Sequence, residues 1–374
     1  TMMQSYIAMG IVSIVWVVVG FSIAFGDSIG AEGYGFFGNP LTFFMFRGVG
    51  AGTSPDLAPT FPLAVFAMFQ LKFAIITPAL VVGAFAERMR FGAMCLFSVL
   101  WFTLVYLPAC HMVWGGGYLA NKGVIDFAGG LVVHATCGIG ALVIAMYLGK
   151  REGFLTKPMP PHNRTMVMIG ASMLWVGWFG FNAGSAVAAD SNAGMAMLVT
   201  HISAAIGALT WMAIEWVKSG KATMIGVATG MVAGLATITP ASGTVGPAGA
   251  MLIGLLAGSV CFYATQIIKS TLKIDDSLDV FPVHGIGGIL GILMLSLVGK
   301  PEGFAGSGSS GFDNTSLSQL LIQAEGIIII CIWTAITTYI ILKTLNIFVD
   351  LRVSREEEEE GLDISLHNEQ GKNL

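Results

Sequence analysis

The chain has 374 residues, of which 55% are hydrophobic and only 11% are charged, and its formal net charge is −4. Soluble domains carry about 25% charged residues, so this composition excludes an ordinary soluble enzyme or a nucleic-acid-binding protein. We predict an all-α polytopic membrane protein, because 49 glycines suit helices that pack closely in lipid better than the strands of a barrel.

Ten apolar segments are long enough to cross a hydrocarbon core, which takes roughly 20 helical residues. In chain order they lie near residues 5–26, 61–86, 93–118, 126–148, 165–187, 193–217, 222–239, 245–268, 281–299 and 319–349. The first span starts almost at once, with Thr at position 1 and no signal-peptide features before it. We therefore expect that an N-terminal piece is missing.

The loops between the predicted spans differ in positive charge. One set, together with the C-terminal end, holds 14 lysines and arginines, whereas the opposite set holds only Arg47, Lys122 and Lys300. Cytoplasmic loops retain positive charge, so the first set is predicted to be cytoplasmic. Residues 1–350 then form a transmembrane domain in the plasma or inner membrane, and residues 351–374 form an acidic cytoplasmic tail.

Two histidines lie inside glycine-rich predicted spans. His134 ends "DFAGGLVVH" in the fourth span, and His284 lies in "DVFPVHGIGGILG" in the ninth. Because these spans are five apart, the pattern fits two inverted five-helix repeats, of which the first lacks its opening helix. Ionisable groups at membrane depth are functional candidates, and two neutral imidazoles in contact can share a proton. The alternative is a purely structural hydrogen bond between helices.

Aromatic side chains form a second candidate site. Phe69 and Phe73 lie four apart on one helix face, Trp114 lies near the end of its span, and "WVGWFGFNAGSA" supplies Phe181 and Ser185. Aromatic faces attract a small cation, whose hydrogen bond a hydroxyl can accept. The alternative is plain packing for the phenylalanines and interfacial anchoring for the tryptophan.

The five cysteines lie in apolar stretches without the spacing of a metal site or a disulfide framework. We predict that they pack, and that the protein has no metal site and no cofactor. Since no arrangement of nucleophile and base stands out, we also predict that it is not an enzyme.

Seven ordered stretches resemble the ammonium transporter family (Amt/Mep/Rh), on its Amt branch, and together they cover essentially the whole chain. They are "FAERMRF", "LPACHMVWGGG", "DFAGGLVVH", "WFGFNAGSA", "ATITPASG", "DVFPVHGIGGI" and "LRVSREEEEEGLD". The resemblance implies the ammonium transporter fold, with two inverted five-helix repeats plus a final helix, of which about ten of eleven helices are present. It also implies a homotrimer with one pore per subunit.

The resemblance assigns roles at the outer mouth of that pore. Trp114, Phe73 and Ser185 match the family's ammonium-recruiting site, with Phe69 beside it. Phe73 and Phe181 match the stacked pair that closes the pore.

Deeper positions are assigned in the same way. His134 and His284 match the twin histidines of a hydrophobic lumen. Asp126 matches an aspartate that orders the backbone and the field at the recruiting site, where deprotonation takes place, without contacting the ion. Thr239 and Asn182 are assigned to the vestibule. Helical rise separates Asp126 from His134 by about 12 Å, so one helix serves both the recruiting end and the lumen.

The implied function is transport of ammonium and methylammonium across the lipid bilayer. Ammonium is recruited and deprotonated, and ammonia crosses the lumen with or without a separately relayed proton. A PII-type regulatory protein at the cytoplasmic face is an expected partner. Two alternatives stay open. One is an ammonium sensor, which is disfavoured because no output domain follows the tail. The other, more remote, is an aquaporin-like channel for neutral solutes, which the histidine pair disfavours.

Lys72 departs from the family pattern, in which an uncharged residue precedes the gate phenylalanine. A helical neighbour points about 100° away from Phe73. We therefore predict that Lys72 faces another helix or reaches towards an interface, and does not enter the pore.

Overall fold

The structure, a computed structural model, describes residues 2–30, 34–299 and 317–369. Lys300 and Lys372, which belong to the loop charges counted above, lie outside the described residues. Within those residues the regular structure is helical, and extended segments pair only through isolated bridges.

Ten described helices are long and apolar enough to cross a membrane, which confirms the ten predicted spans. They are α1 (Met3–Phe25), α2 (Leu63–Phe85), α3 (Phe91–Asn121), α4 (Gly130–Leu148), α5 (Arg164–Gly184), α6 (Ser191–Ser219), α7 (Met224–Ala241), α8 (Pro247–Thr271), α9 (Phe281–Val298) and α10 (Leu317–Phe348). The largest difference between a predicted and an observed helix boundary is at the start of α4. The sequence predicted a start at Asp126, but the helix begins at Gly130 because the Asp126 side chain caps it.

The helices differ in how deeply they lie in the bundle. The most apolar windows of α4 and α7 are each 72% buried, whereas that of α5 is 17% buried. The α4 and α9 helices pack against each other and against α7 and α10. The centre of the molecule is therefore built by the two helices that carry His134 and His284, and α5 lies at the periphery.

Both central helices begin with a π-helical turn that carries the histidine, Gly130–Ala135 in α4 and Phe281–Gly285 in α9. Such turns are rare and occur often at functional sites. Gly138, just beyond the first turn, and Gly285, the last residue of the second, bring the two backbones into contact, and a Cβ on Gly138 would overlap the backbone of Gly285. Only glycine permits this approach, which sets the distance between the histidines.

The tail folds back onto loops between the helices. The N–H of Arg90 donates to the carbonyl of Leu351 at 2.9 Å, and the N–H of Val353 donates to the carbonyl of Arg88 at 3.0 Å. Two short helices follow, α11 (Arg355–Glu360) and α12 (Leu362–His367). Residues 351–367 are thus part of the folded molecule.

We call the end of the bundle that holds this tail the tail end, and the opposite end, where α3 finishes and α4 begins, the aromatic end. Consecutive helices alternate in direction, so α4 runs from the aromatic end to the tail end and α9 runs the opposite way. The two histidine helices are antiparallel, as inverted repeats require.

Candidate functional site

The start of α4 is organised by one buried carboxylate. Asp126 accepts four backbone N–H groups, from Gly129 (2.8 Å), Gly130 (2.6 Å), Leu131 (2.8 Å) and Val132 (3.1 Å). Gly129 has a φ of 119°, a left-handed conformation that is open to glycine without steric cost. The first N–H groups of a helix have no partner within it, and here one side chain satisfies four of them. With its oxygens committed in this way, Asp126 holds the backbone rather than facing a ligand.

Trp114 borders a cavity at the aromatic end. Its indole Nε1 donates to the backbone carbonyl of Asp126 at 2.7 Å, which fixes the ring against the start of α4. The cavity has a volume of about 410 Å³, and Trp114, Ser185, Gln70 and Asp56 contribute to its lining. Sequence reasoning did not single out Gln70 or the carboxylate of Asp56, because nothing in their local sequence shows that they face a cavity.

Ser185 follows α5 and lines the same cavity. Its hydroxyl donates to the backbone carbonyl of Phe181 at 2.8 Å. Because its single proton is used there, the oxygen offers only lone pairs to an occupant of the cavity. This favours an occupant that carries N–H groups.

Phe73 lies beneath the cavity, with 1% of its surface exposed. Its ring centroid is 5.5 Å from that of Trp114, 4.9 Å from Phe69 and 4.5 Å from Phe181. The four aromatic residues singled out from the sequence therefore form one cluster. Its inner members, Phe73 and Phe181, connect Trp114 by ring contacts to His134.

The two histidines are in contact in the interior. The Nδ1 atoms of His134 and His284 are 3.2 Å apart, so one ring donates and the other accepts. The His134 ring stacks on Phe181 at 6.0 Å and on His284 at 5.2 Å. A continuous row of rings thus runs from Trp114 through Phe73, Phe181 and His134 to His284, and we call it the aromatic row.

Trp178 supports this row from the side, since it stacks on His134 at 5.6 Å and on Phe181 at 5.0 Å. Its indole donates to the hydroxyl of Thr239 at 2.9 Å. The amide of Asn182 donates to a threonine hydroxyl on α6, also at 2.9 Å. Thr239 and Asn182, which the resemblance assigns to the vestibule, are both buried and are not among the residues that line the cavity at the aromatic end. Their hydrogen bonds join them to neighbouring helices.

Sequence reasoning also missed Asp276, which precedes His284 by eight residues just as Asp126 precedes His134. Asp276 is buried, and it accepts the N–H of Phe281, the first residue of α9, at 2.7 Å. Both histidines and both aspartates are 150 residues apart, so a search for equal offsets would have found the pair. We call Asp126 with His134 the aromatic-end unit, and Asp276 with His284 the tail-end unit.

Charged groups surround the tail-end unit. The Arg151 guanidinium donates to the buried carboxylate of Asp275 at 2.9 Å, and Arg88 donates to the backbone carbonyl of Asp275. Burial alone would raise the pKa of Asp275, but the hydrogen bonds from Arg151 outweigh it and lower this pKa. Burial and the neighbouring Asp279 raise the pKa of Asp276 to about 6. The pKa values of the two adjacent carboxylates are therefore shifted in opposite directions.

Lys72 lies on the exposed face of α2. It borders a shallow apolar groove with Val65 and Met68, and it is not among the residues that line the cavity. This placement agrees with the prediction that Lys72 points away from the pathway.

Within the described ranges, three potential metal ligands come together beside the histidine pair. His134, Cys137 and His284 are buried, and one ligand atom from each lies within 4.8 Å of the others. The sequence predicted packing for Cys137, whose Sγ donates to the carbonyl of His134 at 3.4 Å.

Comparison with known proteins agrees with this architecture. The Ammonium Transporter Family matches residues 1–372. An ammonium transporter of Aquifex aeolicus is 43% identical over 374 residues, which is 100% of this chain and 85% of that protein. The crystal structure of Saccharomyces cerevisiae Mep2 superposes with a TM-score of 0.85 at 38% identity and covers 94% of this chain and 81% of its own. A structure described as a sensor Amt protein has a TM-score of 0.85 at 29% identity and covers 98% of this chain and 89% of its own. The chain is a multi-pass membrane protein with the fold of these transporters, and it belongs to the ammonium transporter family.

Proposed function

We propose that the protein transports ammonium and methylammonium by recruiting the ion at the cavity, removing one proton and passing neutral ammonia along the interior. The observation that carries this proposal is the aromatic row, which connects Trp114 at the cavity to His284 in the core. One end of the row is suited to a cation, and the other end can exchange a proton.

Recruitment follows from the chemistry of the cavity. The indole face of Trp114 attracts a cation, a contact worth about 0.5–2 kcal/mol depending on how far water is excluded. Ser185 accepts one N–H of the ion, because its own proton is bound to Phe181. The carboxylate of Asp56 adds negative potential at the entrance. Together these groups offset part of the dehydration of ammonium.

Passage beyond Phe73 requires loss of charge. The interior around His134 is fully buried, and transfer of an intact ion into such a medium is far more costly than transfer of a small neutral molecule. Ammonium can release a proton and cross as ammonia, whereas potassium has no neutral form. The contact between His134 and His284 supports a separate route for the proton, since each imidazole can accept at one nitrogen and donate at the other.

We further propose that the tail end faces the cytoplasm of a cell bounded by this membrane. Arg88, Arg90 and Arg151 lie in its loops, as the positive-inside rule requires. The exposed helix α5 offers a surface for assembly into a homotrimer. The folded acidic tail is a surface that a PII-type regulator could contact.

Reconstitution into liposomes tests the proposal. An ammonium pulse is expected to give a transient current and uptake of ammonium that methylammonium inhibits by competition. A potassium pulse is expected to give neither. The double variant H134A/H284A removes the proton route and is expected to lose the current. The matched control is H201A, since His201 is an exposed histidine on α6. Uptake without current would overturn the coupled proton route, and no uptake by the wild type would overturn transport.

A sensor function is the second candidate, favoured by the likeness to the structure described as a sensor Amt protein. Expression of the full-length gene in a cell that lacks ammonium transporters separates the two. Growth on limiting ammonium supports transport, whereas ammonium binding without growth or uptake supports a sensor.

A further inference from the structure

We infer that His134, His284 and Cys137 form a binding site for a soft monovalent metal ion of the Ag(I) or Cu(I) class, and that a bound ion closes the interior pathway. The closure rests on the proposed transport function, whereas the binding site does not. Nothing in the transport mechanism uses the thiol of Cys137.

The geometry brings three donors to one point. Cys137 follows His134 by three residues on α4, so both side chains lie on the same helix face. The ligand atoms of all three residues lie within 4.8 Å of one another. Three donors around one ion, at bonds of about 2.0–2.3 Å, lie about 3.5–4 Å from one another. Side-chain rotations that bring the ligand atoms together by about 1 Å therefore complete the site.

A second observation points to a ligand at the same place. The Nε2 atom of His134 is buried and has no hydrogen-bond partner among the described groups. Buried polar atoms are normally paired, and an unpaired one costs about 1–3 kcal/mol. Coordination of an ion through Nε2 would remove this cost.

Charge balance selects the class of ion. When Cys137 binds M⁺, its S–H bond breaks, an S–M bond forms and the proton leaves to water, so the net charge of the buried site is unchanged. The two imidazoles bind as neutral donors, and no atom is oxidised or reduced. A divalent ion would leave one uncompensated positive charge in an apolar interior, which is costly. Thiolate and imidazole donors also favour soft ions such as Cu(I).

Occupancy of this site would stop transport. An ion bound to the His134 ring beside the Nδ1–Nδ1 contact of 3.2 Å occupies a nitrogen that proton exchange through this ring requires. It also fills the end of the aromatic row, where ammonia would have to pass. The structure therefore assigns Cys137 as a residue that makes this interior sensitive to thiophilic metals.

The test uses the purified full chain and silver nitrate in chloride-free buffer. After gel filtration, the wild type is expected to retain one more Ag(I) per chain than C137A. In proteoliposomes, Ag(I) is expected to reduce methylammonium uptake by the wild type at least tenfold, while C137A keeps more than half of its uptake. X-ray absorption at the silver edge is expected to show both sulfur and nitrogen donors.

The matched control is the double variant C95A/C331A, which removes the two half-buried thiols and is expected to be blocked like the wild type. Equal silver retention by C137A and the wild type, or a silver shell of sulfur alone, would overturn the site. If silver reduces methylammonium uptake by C137A as strongly as uptake by the wild type, the proposed closure is wrong. If the wild type takes up no methylammonium before silver is added, the transport proposal fails, and the silver count still decides the site.

Discussion

The aromatic-end unit and the tail-end unit use the same spacing but hold their carboxylates differently. Asp126 accepts four backbone N–H groups. Asp276 accepts the N–H of Phe281, and its Oδ1 has no partner among the described residues. Charged side chains act around Asp276 as well: Asp279 raises its pKa, Lys269 lowers it, and the adjacent Asp275 is bound by Arg151. The aromatic-end unit is thus fixed by local backbone, whereas the tail-end unit depends on loops from other parts of the chain.

The largest expected effect comes from removing the backbone acceptor of the aromatic-end unit. D126A leaves four buried N–H groups without partners, each worth about 1–3 kcal/mol, so the free energy of unfolding should fall by about 4 kcal/mol or more. D276A leaves fewer N–H groups without a partner, so its free energy of unfolding should fall by at most half as much. Thermal unfolding of both purified variants measures this. Equal losses would show that the two units are held alike.

The next effect concerns the ion pair beside the tail-end unit. R151M removes the guanidinium that binds Asp275, whose carboxylate is fully buried. Leaving a buried charge without its partner should cost about 3 kcal/mol. The control R355M removes an exposed guanidinium and should leave the unfolding temperature unchanged. If R151M also unfolds like the wild type, the loop charges do not support the tail-end unit.

A smaller effect follows from the pKa of Asp276, which is raised from 3.8 to about 6. Such a carboxyl stabilises the folded state fully below about pH 4, and this contribution is lost as pH rises through about 6. Raising the pH from 5 to 7.5 should therefore destabilise the wild type by about 1 kcal/mol more than D276N. Unfolding midpoints of both proteins at the two pH values provide the measurement. Identical pH dependence would mean that Asp276 keeps an ordinary pKa.

The smallest effect is expected at Lys72, which belongs to neither unit. Its side chain lies on the exposed face of α2, so K72M should leave methylammonium uptake and rejection of potassium within about twofold of the wild type. Uptake in proteoliposomes measures both. A large change in selectivity would place the lysine on the pathway and weaken the contrast between a buried route and an exposed surface.

Hydropathy was sufficient to predict the ten helices, because length and apolar composition alone decide which segments can cross a membrane. The family motifs named the aromatic residues and the histidine pair that the structure brings together. They did not give the rotation of each helix. The hydrogen bonds that join Thr239 and Asn182 to neighbouring helices are one example, since no local pattern encodes them.

Other features lay beyond the sequence patterns for different reasons. Asp276 precedes His284 by the same offset as Asp126 precedes His134, but nothing in the local sequence shows that this carboxylate is buried. The docking of the tail on Arg88 and Arg90 depends on pairing between segments about 260 residues apart, which no local pattern encodes. The nearness of Cys137 to His284 likewise follows only from the packing of α4 against α9.

The contact between Gly138 and Gly285 has a consequence for the order of assembly. During synthesis α4 enters the membrane long before α9 has been made, and the pair of histidines is 150 residues apart along the chain. Until α9 arrives, His134 lacks the imidazole that it contacts in the folded protein. The contact between the histidines therefore forms only after α9 has packed against α4 and the two glycines have met.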